Sequence, residues 1–472
     1  MCGIAGYIDL AGTGRVERER LTAMTEVLVH RGPDSSGYHL EPGVGLGVRR
    51  LKIIDLATGD QPIYNEDRTL ALVCNGEIFN FRELRAELLA RGHVFRTGTD
   101  VEVLVHLYED VGDRLLDRLN GQFAFALYDR RRRRLLLARD HFGVNPLFYC
   151  RAGGLLLFGS EIKALLAHPA VERRVDLVGL DQVLSLPGLV SPRTLFAGVE
   201  SLGSGHALVV EDGRPAVRQY WDLSYPEDGG ADEPVPAGEE ARWVEELGEI
   251  LQRSVGRRLQ SDVPLGLCVS GGIDSSLVAA LAARQTAGAP PTFSVAFADA
   301  EIDEAPYQRL MARALGGEHH EIRVDLAAIA SSLSEMVYHC ECPVKESYNT
   351  CAMALAGEAK AAGVSVMLGG EGADELFGGY LGYRFDRPGS PAPAAADLDL
   401  LLEEELRERL WGDRNLVYEK DQLAFRDVKT ALYSRPVAAR FGEIDCLGHP
   451  LVDVARLRNQ HILNRRSYLD FK

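Results

Sequence analysis

The chain carries eight cysteines, at positions 2, 74, 150, 268, 340, 342, 351 and 446, yet no CxxC pair. Without that spacing the thiolate framework of a structural zinc site is missing, and Cys340 with Cys342 does not supply one. No apolar stretch reaches the roughly 18 residues that a membrane helix needs. No secretory leader precedes the first strand-like run, so free thiols in a reducing, cytoplasmic compartment are expected. Positive charge is in deficit: 52 Lys and Arg stand against 69 Asp and Glu, a net −17. So acidic a chain has no reason to gather on nucleic acid or anionic lipid. Its one dense basic run, Arg130 to Arg134, lies between two apolar strand-like segments and reads as a solvated hairpin turn.

With 472 residues, 46% hydrophobic and 26% charged, the chain is globular and too long for one core. Residues 1–220 are rich in short apolar runs separated by Gly, Asp and Asn turns, at 44–48, 70–74, 123–128 and 134–138. Helical periodicity interrupts them at 81–91 and 100–110. Stacked antiparallel sheets flanked by helices are expected. Residues 221–240, rich in Gly, Pro, Glu and Asp, read as a linker. In 241–472, strand-like segments at 266–269, 292–297 and 364–368 alternate with helical ones at 277–284, 305–314 and 350–362. That alternation predicts a doubly wound parallel sheet. Residues 388–396 form a Pro/Ala-rich loop without periodicity.

Cys2 lies directly behind the initiator methionine. With Met1 trimmed, one residue would hold both a nucleophilic thiol and a free α-amine with a reference pKa of roughly 7.7–8.0. A thiolate attacking a carboxamide creates an oxyanion that needs fixed donors. Asn75-Gly76-Glu77 follows an apolar strand and reads as a turn, where an Asn NH2 and a Gly N–H can converge. Arg50 could take the α-carboxylate of an amino-acid substrate and Asp100 its α-ammonium. Taken singly, each has a plain alternative: a hairpin turn, a surface charge, a helix N-cap.

These residues fall in the segments Met1-Cys2-Gly3-Ile4, His30-Arg31-Gly32-Pro33-Asp34, Arg50-Leu51, Asn75-Gly76-Glu77-Ile78-Phe79-Asn80 and Thr97-Gly98-Thr99-Asp100. Together with Arg139-Asp140-His141-Phe142-Gly143 and Ser160-Glu161-Ile162-Lys163, they resemble the glutamine amidotransferase domain of the N-terminal-nucleophile hydrolases. The resemblance covers about the first 165 residues and implies an αββα sandwich. It implies Cys2 as nucleophile with its own amine as base, and Asn75 and Gly76 as oxyanion hole. Arg50, Asn75, Gly76, Glu77 and Asp100 would bind glutamine, releasing glutamate and ammonia. Val144-Asn145-Pro146 departs from a frequent Ile-Lys-Pro and reads as neutral.

Ser270-Gly271-Gly272-Ile273-Asp274-Ser275-Ser276 links a strand to a helix. Small residues let backbone N–H groups approach an anion at a helix N-terminus, and Asp274 can hold the Mg2+ that a polyphosphate requires. The loop lacks the lysine of a Walker A motif. A second loop after a strand, Gly369-Gly370-Glu371-Gly372-Ala373-Asp374-Glu375, sets acids among glycines. The pair resembles the pyrophosphate-loop ATPase domain of asparagine synthetase over residues 245–385. The resemblance implies that ATP adenylates a carboxylate, aspartate first, and that ammonia displaces AMP. Ser270, Gly272, Asp274, Ser275 and Ser276 would hold pyrophosphate and Mg2+, with Asp374 a second metal ligand. Glu371 would assist proton removal, Leu267 and Val295 would flank adenine, and Gly370 would lie against the nucleotide. Self-association as a homodimer is a further implication of the resemblance.

Three departures accompany it. Gly369 stands where a Ser is usual. Residues 340–349 replace an Asp-Glu-Pro-containing stretch near the acceptor carboxylate, which leaves open amidation of another acid in a natural-product pathway. The chain stops where the family carries a functional lysine, which is read as a fragment. A non-catalytic ammonia- or glutamine-sensing scaffold is the alternative of another class.

Overall fold

Side-chain alternation along one strand shows how the first half is layered. In β5 (Leu70–Ile78), Leu70, Leu72 and Cys74 enter one apolar cluster, while Ala71 and Val73 enter another on the opposite face. The computed structural model describes residues 1–10, 14, 16–225, 238–384, 398–417, 422–448, 451–453, 456 and 460–471. Most of the expected linker and the whole 388–396 loop lie outside the described residues.

One sheet contains β1 (Gly3–Asp9), β2 (Ser35–Glu41), β3 (Val44–Arg50), β8 (Phe148–Ala152), β9 (Leu155–Gly159) and β10 (Val199–Ser201), in the order β10-β8-β9-β1-β3-β2. The second contains β4 (Ile63–Tyr64), β5, β6 (Gly121–Asp129), β7 (Arg134–Arg139), β11 (His206–Glu211) and β12 (Arg214–Gln219), in the order β12-β11-β7-β6-β5-β4. All their pairings are antiparallel. Ile4, Ile8, Val44, Leu46, Val73, Ala126 and Phe158 fill the space between the sheets. Helices α1 (Arg18–Glu26) and α4 (Ile162–Leu166) bury Leu21, Met24 and Leu165 on the outer face of the first sheet. Helices α2 (Phe81–Ala90) and α3 (Val103–Val111) bury Leu84, Leu88, Leu104 and Leu107 on the outer face of the second. The expected four-layer αββα sandwich is present. Arg130 to Arg133 form the β6–β7 turn, but Arg134 does not share their exposure: it is buried and bonded to Asp113 at 2.6 Å and Tyr108 at 3.1 Å.

In the second half, β13 (Leu265–Cys268), β14 (Thr292–Phe297), β15 (His319–Val324) and β16 (Val366–Leu368) pair in parallel, in the order β15-β14-β13-β16. The chain moves outward from β13 to β15, then returns to β16 on the other side of β13. The crevice at the carboxyl ends of β13 and β16 is therefore a topological switch point. Helices α6 (Glu239–Arg258), α7 (Ile273–Ala283) and α8 (Ala305–Leu315) cover one face through Val255, Ala279, Ala282 and Met311. On the other, α10 (Tyr348–Ala361) packs on Phe293, with α9 (Leu326–Cys340) beside it. Strand β15 escapes sequence reading because its His319-His320-Glu321 start carries no apolar alternation.

Helix α5 (Leu177–Ser185), from the first half, packs in a separate cluster with the C-terminal helices. At its heart the Lys429 ammonium donates to Asp181 at 2.8 Å and Ser185 at 2.7 Å, with both charged side chains at 0% exposure. Asp181 also accepts from Tyr433 at 2.5 Å and from the Cys446 N–H at 2.8 Å. A buried pair stripped of one partner leaves an uncompensated charge. Lys429→Met is expected to destabilise the protein by about 3–5 kcal/mol in urea unfolding, and K429M/D181N to recover part of that loss.

Candidate functional site

Cys2, at the threshold of β1, has the same strand parity as Ile4 and Ile8 and so faces the second sheet. Asn75 shares parity with Ala71 and Val73 and faces back toward it. They meet at one end of the sandwich in a cavity of about 50 Å3, lined also by Met1, Arg50, Gln61, Gly76, Glu77, Asp100 and Asn145. All six first-half residues selected from the sequence come together here.

The cavity has its own electrostatics. The Cys2 thiol donates toward the Leu51 carbonyl at 3.7 Å and accepts from the Leu51 N–H at 3.4 Å. Burial pushes the Cys2 thiol up and the Met1 amine down. Arg31 donates to the Cys2 carbonyl at 2.9 Å and to Glu161 at 3.0 Å, fixing the residue's backbone. Arg50 is buried and donates to Asp60 at 2.9 Å and to the Ile54 and Asp55 carbonyls at 3.0 and 2.7 Å. Burial and the Asp100 charge raise Glu77 to about 7. Burial raises Asp100 to about 6, against the hydrogen bond it accepts from the Ile78 N–H at 2.7 Å.

Two expectations need correction. Asn75-Gly76-Glu77 is not a turn: it continues β5, opposite Ala124, Phe123 and Gln122 of β6. A Cβ at Gly76 would lie 2.2 Å from the Gln122 carbonyl oxygen, so glycine permits the close pairing. Asn145 is not neutral either. It is fully buried, and its side-chain oxygen accepts from the Asn75 amide at 2.9 Å, leaving the second Asn75 N–H uncommitted to it. Asp140 holds the loop that presents it, accepting from the N–H groups of Phe142, Val144 and Asn145 at 3.1 Å each. Gln61, also unselected, brackets Cys74 through both its amide atoms at 2.6 and 3.0 Å. Only the departure at Asn145 could have flagged its position; Gln61 offered no signal.

The loops after β13 and β16 share a second cavity of about 350 Å3 at the switch point. Ser270, Asp274, Ser275, Val295, Gly370, Glu371 and Asp374 line it. Gly272, the N-cap of α7, and Ser276, in its first turn, do not line the cavity. Leu267 is fully buried in the sheet core rather than turned to this space, and Cys268 lines the cavity in its place. The Ser275 hydroxyl accepts from the Ser270 N–H at 3.1 Å and pairs with the Ser270 hydroxyl at 2.9 Å, so the loop is folded on itself before any anion arrives. Gly271 has φ +88°, and a Cβ there would meet Tyr307 at 2.8 Å. A Cβ at Gly370 would lie 2.7 Å from the Ser275 nitrogen, so glycine lets the two loops close on each other. Gly369 is different: a Cβ there meets nothing nearer than 3.8 Å, so space does not exclude a serine.

Burial and the facing Asp274 charge raise the Asp374 carboxyl. Two acids repelling each other across a cavity suit a bridging divalent cation. Residues 340–349 do not line this cavity. A larger cavity, about 570 Å3 around Phe142, Tyr149 and Tyr468, contains none of the selected residues.

Because the Asp100 charge helps raise Glu77, Asp100→Asn is expected to lower the Glu77 titration below about 7. Carboxyl NMR of the labelled protein reads this directly, and an unmoved Glu77 midpoint would refute the coupling.

Residues 1–221 match the glutamine amidotransferase domain family, and residues 246–472 match the asparagine synthase family. A Bacillus subtilis protein named asparagine synthetase (glutamine-hydrolyzing) 3 is 35% identical over 398 residues, 80% of this chain and 63% of that protein. Its namesake numbered 1 is 37% identical over 389 residues, 81% of this chain and 60% of that protein. A Penicillium rubens protein named Amidase chyE is 33% identical over 418 residues, 83% of this chain and 61% of that protein. The chain spans about three fifths of the length of these curated relatives. Its first half belongs to the glutamine amidotransferase domain family and its second half to the asparagine synthase family.

Proposed function

We propose that this chain releases ammonia from glutamine and uses it in the ATP-dependent amidation of a carboxylic acid, aspartate being the first acceptor, with asparagine as product. The observation that carries this reading is the presence of both cavities on one chain, each lined by residues selected from the sequence for its chemistry.

With Met1 removed, the α-amine of Cys2 takes the thiol proton and the sulfur attacks the carboxamide carbon of glutamine. The second Asn75 N–H and the Gly76 N–H face the developing oxyanion. Ammonia leaves, and water cleaves the thioester to glutamate. Arg50 pairs with the α-carboxylate, while Glu77 and Asp100 attract the α-ammonium. In the second cavity the acceptor carboxylate attacks the α-phosphorus of ATP, and pyrophosphate leaves. Ammonia then attacks the acyl carbon, Glu371 takes a proton and AMP departs. Ser270, Gly272, Asp274, Ser275 and Ser276 cradle the pyrophosphate end, and Val295 and Gly370 lie against the nucleotide. Asp274 and Asp374 would hold Mg2+, which supplies charge neutralisation for the phosphates when bound.

A second reading, amidation of another acid, is favoured by the departure of residues 340–349 from the usual stretch and by their position off the nucleotide cavity. The resemblance to Amidase chyE is of the same order as that to the synthetases. Incubation with glutamine, ATP, Mg2+ and aspartate should yield asparagine, AMP and pyrophosphate. Pyrophosphate released only with a different acid would replace aspartate by that acid.

Cys2→Ala should abolish glutamate release while leaving ammonia-dependent amidation intact. Unchanged glutamate release would refute the thiol assignment and favour a sensing scaffold. The KM for glutamine should rise as pH falls through about 7 and then about 6, because Glu77 and Asp100 become protonated and lose their hold on the ammonium. Glu77→Gln should remove the upper inflection; a KM flat from pH 8 to about 5.5 would overturn the assignment.

A further inference from the structure

Outside both cavities, Glu66, His93, His106 and Glu109 converge from three segments. Glu66 follows β4, His93 follows α2, and His106 and Glu109 lie on one face of α3 at i and i+3. Their nearest donor atoms all fall within 4.8 Å of one another. His106 is fully buried, yet neither of its ring nitrogens has a hydrogen-bond partner among the described residues. Its Nδ1 lies 3.4 Å from Glu66 Oε2 and 3.4 Å from Glu109 Oε2. His93 Nδ1 lies 3.4 Å from Glu66 Oε1 and 3.7 Å from Glu109 Oε2.

These separations have a geometric meaning. Ligands about 2.1 Å from a tetrahedral ion are separated from each other by about 3.4 Å. These four separations, 3.4 to 3.7 Å, lie near that edge length. Outer contacts hold them there. His93 Nε2 lies 3.1 Å from Asp110 Oδ1, and in the tautomer protonated there Nδ1 turns its lone pair toward the cluster. Glu66 accepts from the Val94 N–H at 2.9 Å, and Glu109 Oε1 accepts from Asn65 at 2.8 Å, leaving Oε2 turned inward. Around an ion, with both imidazoles deprotonated, the two carboxylates would carry −2, matching a divalent charge.

We propose that Glu66, His93, His106 and Glu109 bind a divalent transition-metal ion of the zinc class. Two imidazoles among four ligands select such an ion over Mg2+ or Ca2+, which prefer all-oxygen shells. The ion ties α3 to two loops that precede it in the chain, one after β4 and one after α2. One of those loops runs from His93 to Thr99 and Asp100 of the glutamine cavity, with the Arg96 and Thr97 N–H groups already fixed on Glu102 at 2.7 and 2.8 Å. The site is therefore structural, positioning one wall of that cavity from behind.

The test uses the untagged, chelator-treated full chain, titrated with Zn2+ by calorimetry and with Co2+ by absorption spectroscopy. One equivalent should bind. The Co2+ form should show strong visible bands of tetrahedral coordination without the near-ultraviolet bands of thiolate ligation. His93→Gln and, separately, Glu109→Gln should weaken binding at least tenfold, and Asp110→Asn by about 10–100-fold. Asp374→Asn should leave it unchanged. Each of three results would overturn the proposal: no stoichiometric binding, which leaves an ion-pair cluster only; thiolate bands; or an equivalent lost in Asp374→Asn but kept in His93→Gln.

Discussion

The carboxylate of Glu341 holds the two halves in register. It accepts from the Ile162 and Lys163 N–H groups, both at 2.6 Å, capping α4 of the first half from the end of α9 in the second. Its backbone sits at φ +58°, a left-handed conformation that costs a non-glycine residue about 1–3 kcal/mol. Burial raises its carboxyl, and the Lys163 ammonium, 3.0 Å away, works against that rise. From there a chain of charge runs inward: Lys163 to Glu161 at 2.6 Å, Glu161 to Arg31 at 3.0 Å, and Arg31 to the Cys2 carbonyl at 2.9 Å. The segment that departs from the family pattern thus reaches the backbone of Cys2 through three side chains.

A second seam approaches the same cavity from another side. The Asp55 N–H donates to Asp262 at 2.8 Å, the Asp262 N–H donates to the Ile53 carbonyl at 2.9 Å, and Gln260 donates to the Phe79 carbonyl at 2.9 Å. Ile53 and Ile54 line the glutamine cavity, and Ile54 and Asp55 also hold Arg50. Both seams end on residues that shape the first cavity, so the position of the parallel-sheet half is mechanically registered there.

Much of this was legible in the sequence, and the reasons are physical. Short apolar runs between Gly, Asp and Asn turns placed β3, β5, β6 and β7, and strand–helix alternation placed the parallel sheet, because burial leaves a direct imprint on composition. Strand β15 left little imprint: its pairing satisfies backbone groups while four of its side chains, His319, His320, Glu321 and Arg323, are polar. The cavity residues Cys2, Arg50, Asn75, Gly76, Glu77 and Asp100 were found because each belongs to a recognisable segment. Asn145 and Gln61 were missed because their work is to hold another residue's amide, a pairing fixed by strand register rather than by local pattern. Leu267 was misplaced by one position, since adjacent residues of a strand face opposite ways and its neighbour Cys268 is the one turned to the cavity.

Arg50 already has a resident anion. Asp60 lies 2.9 Å from its guanidinium, with its side chain 54% exposed, and hydrogen bonds from Arg50 and Ser35 hold its carboxyl low despite the burial that opposes them. An incoming carboxylate therefore meets an occupied partner and must trade places or share. Any carboxylate binding at Arg50 is an exchange of one anion for another, so selectivity there rests on how much better the newcomer fits than a side chain tethered ten residues along.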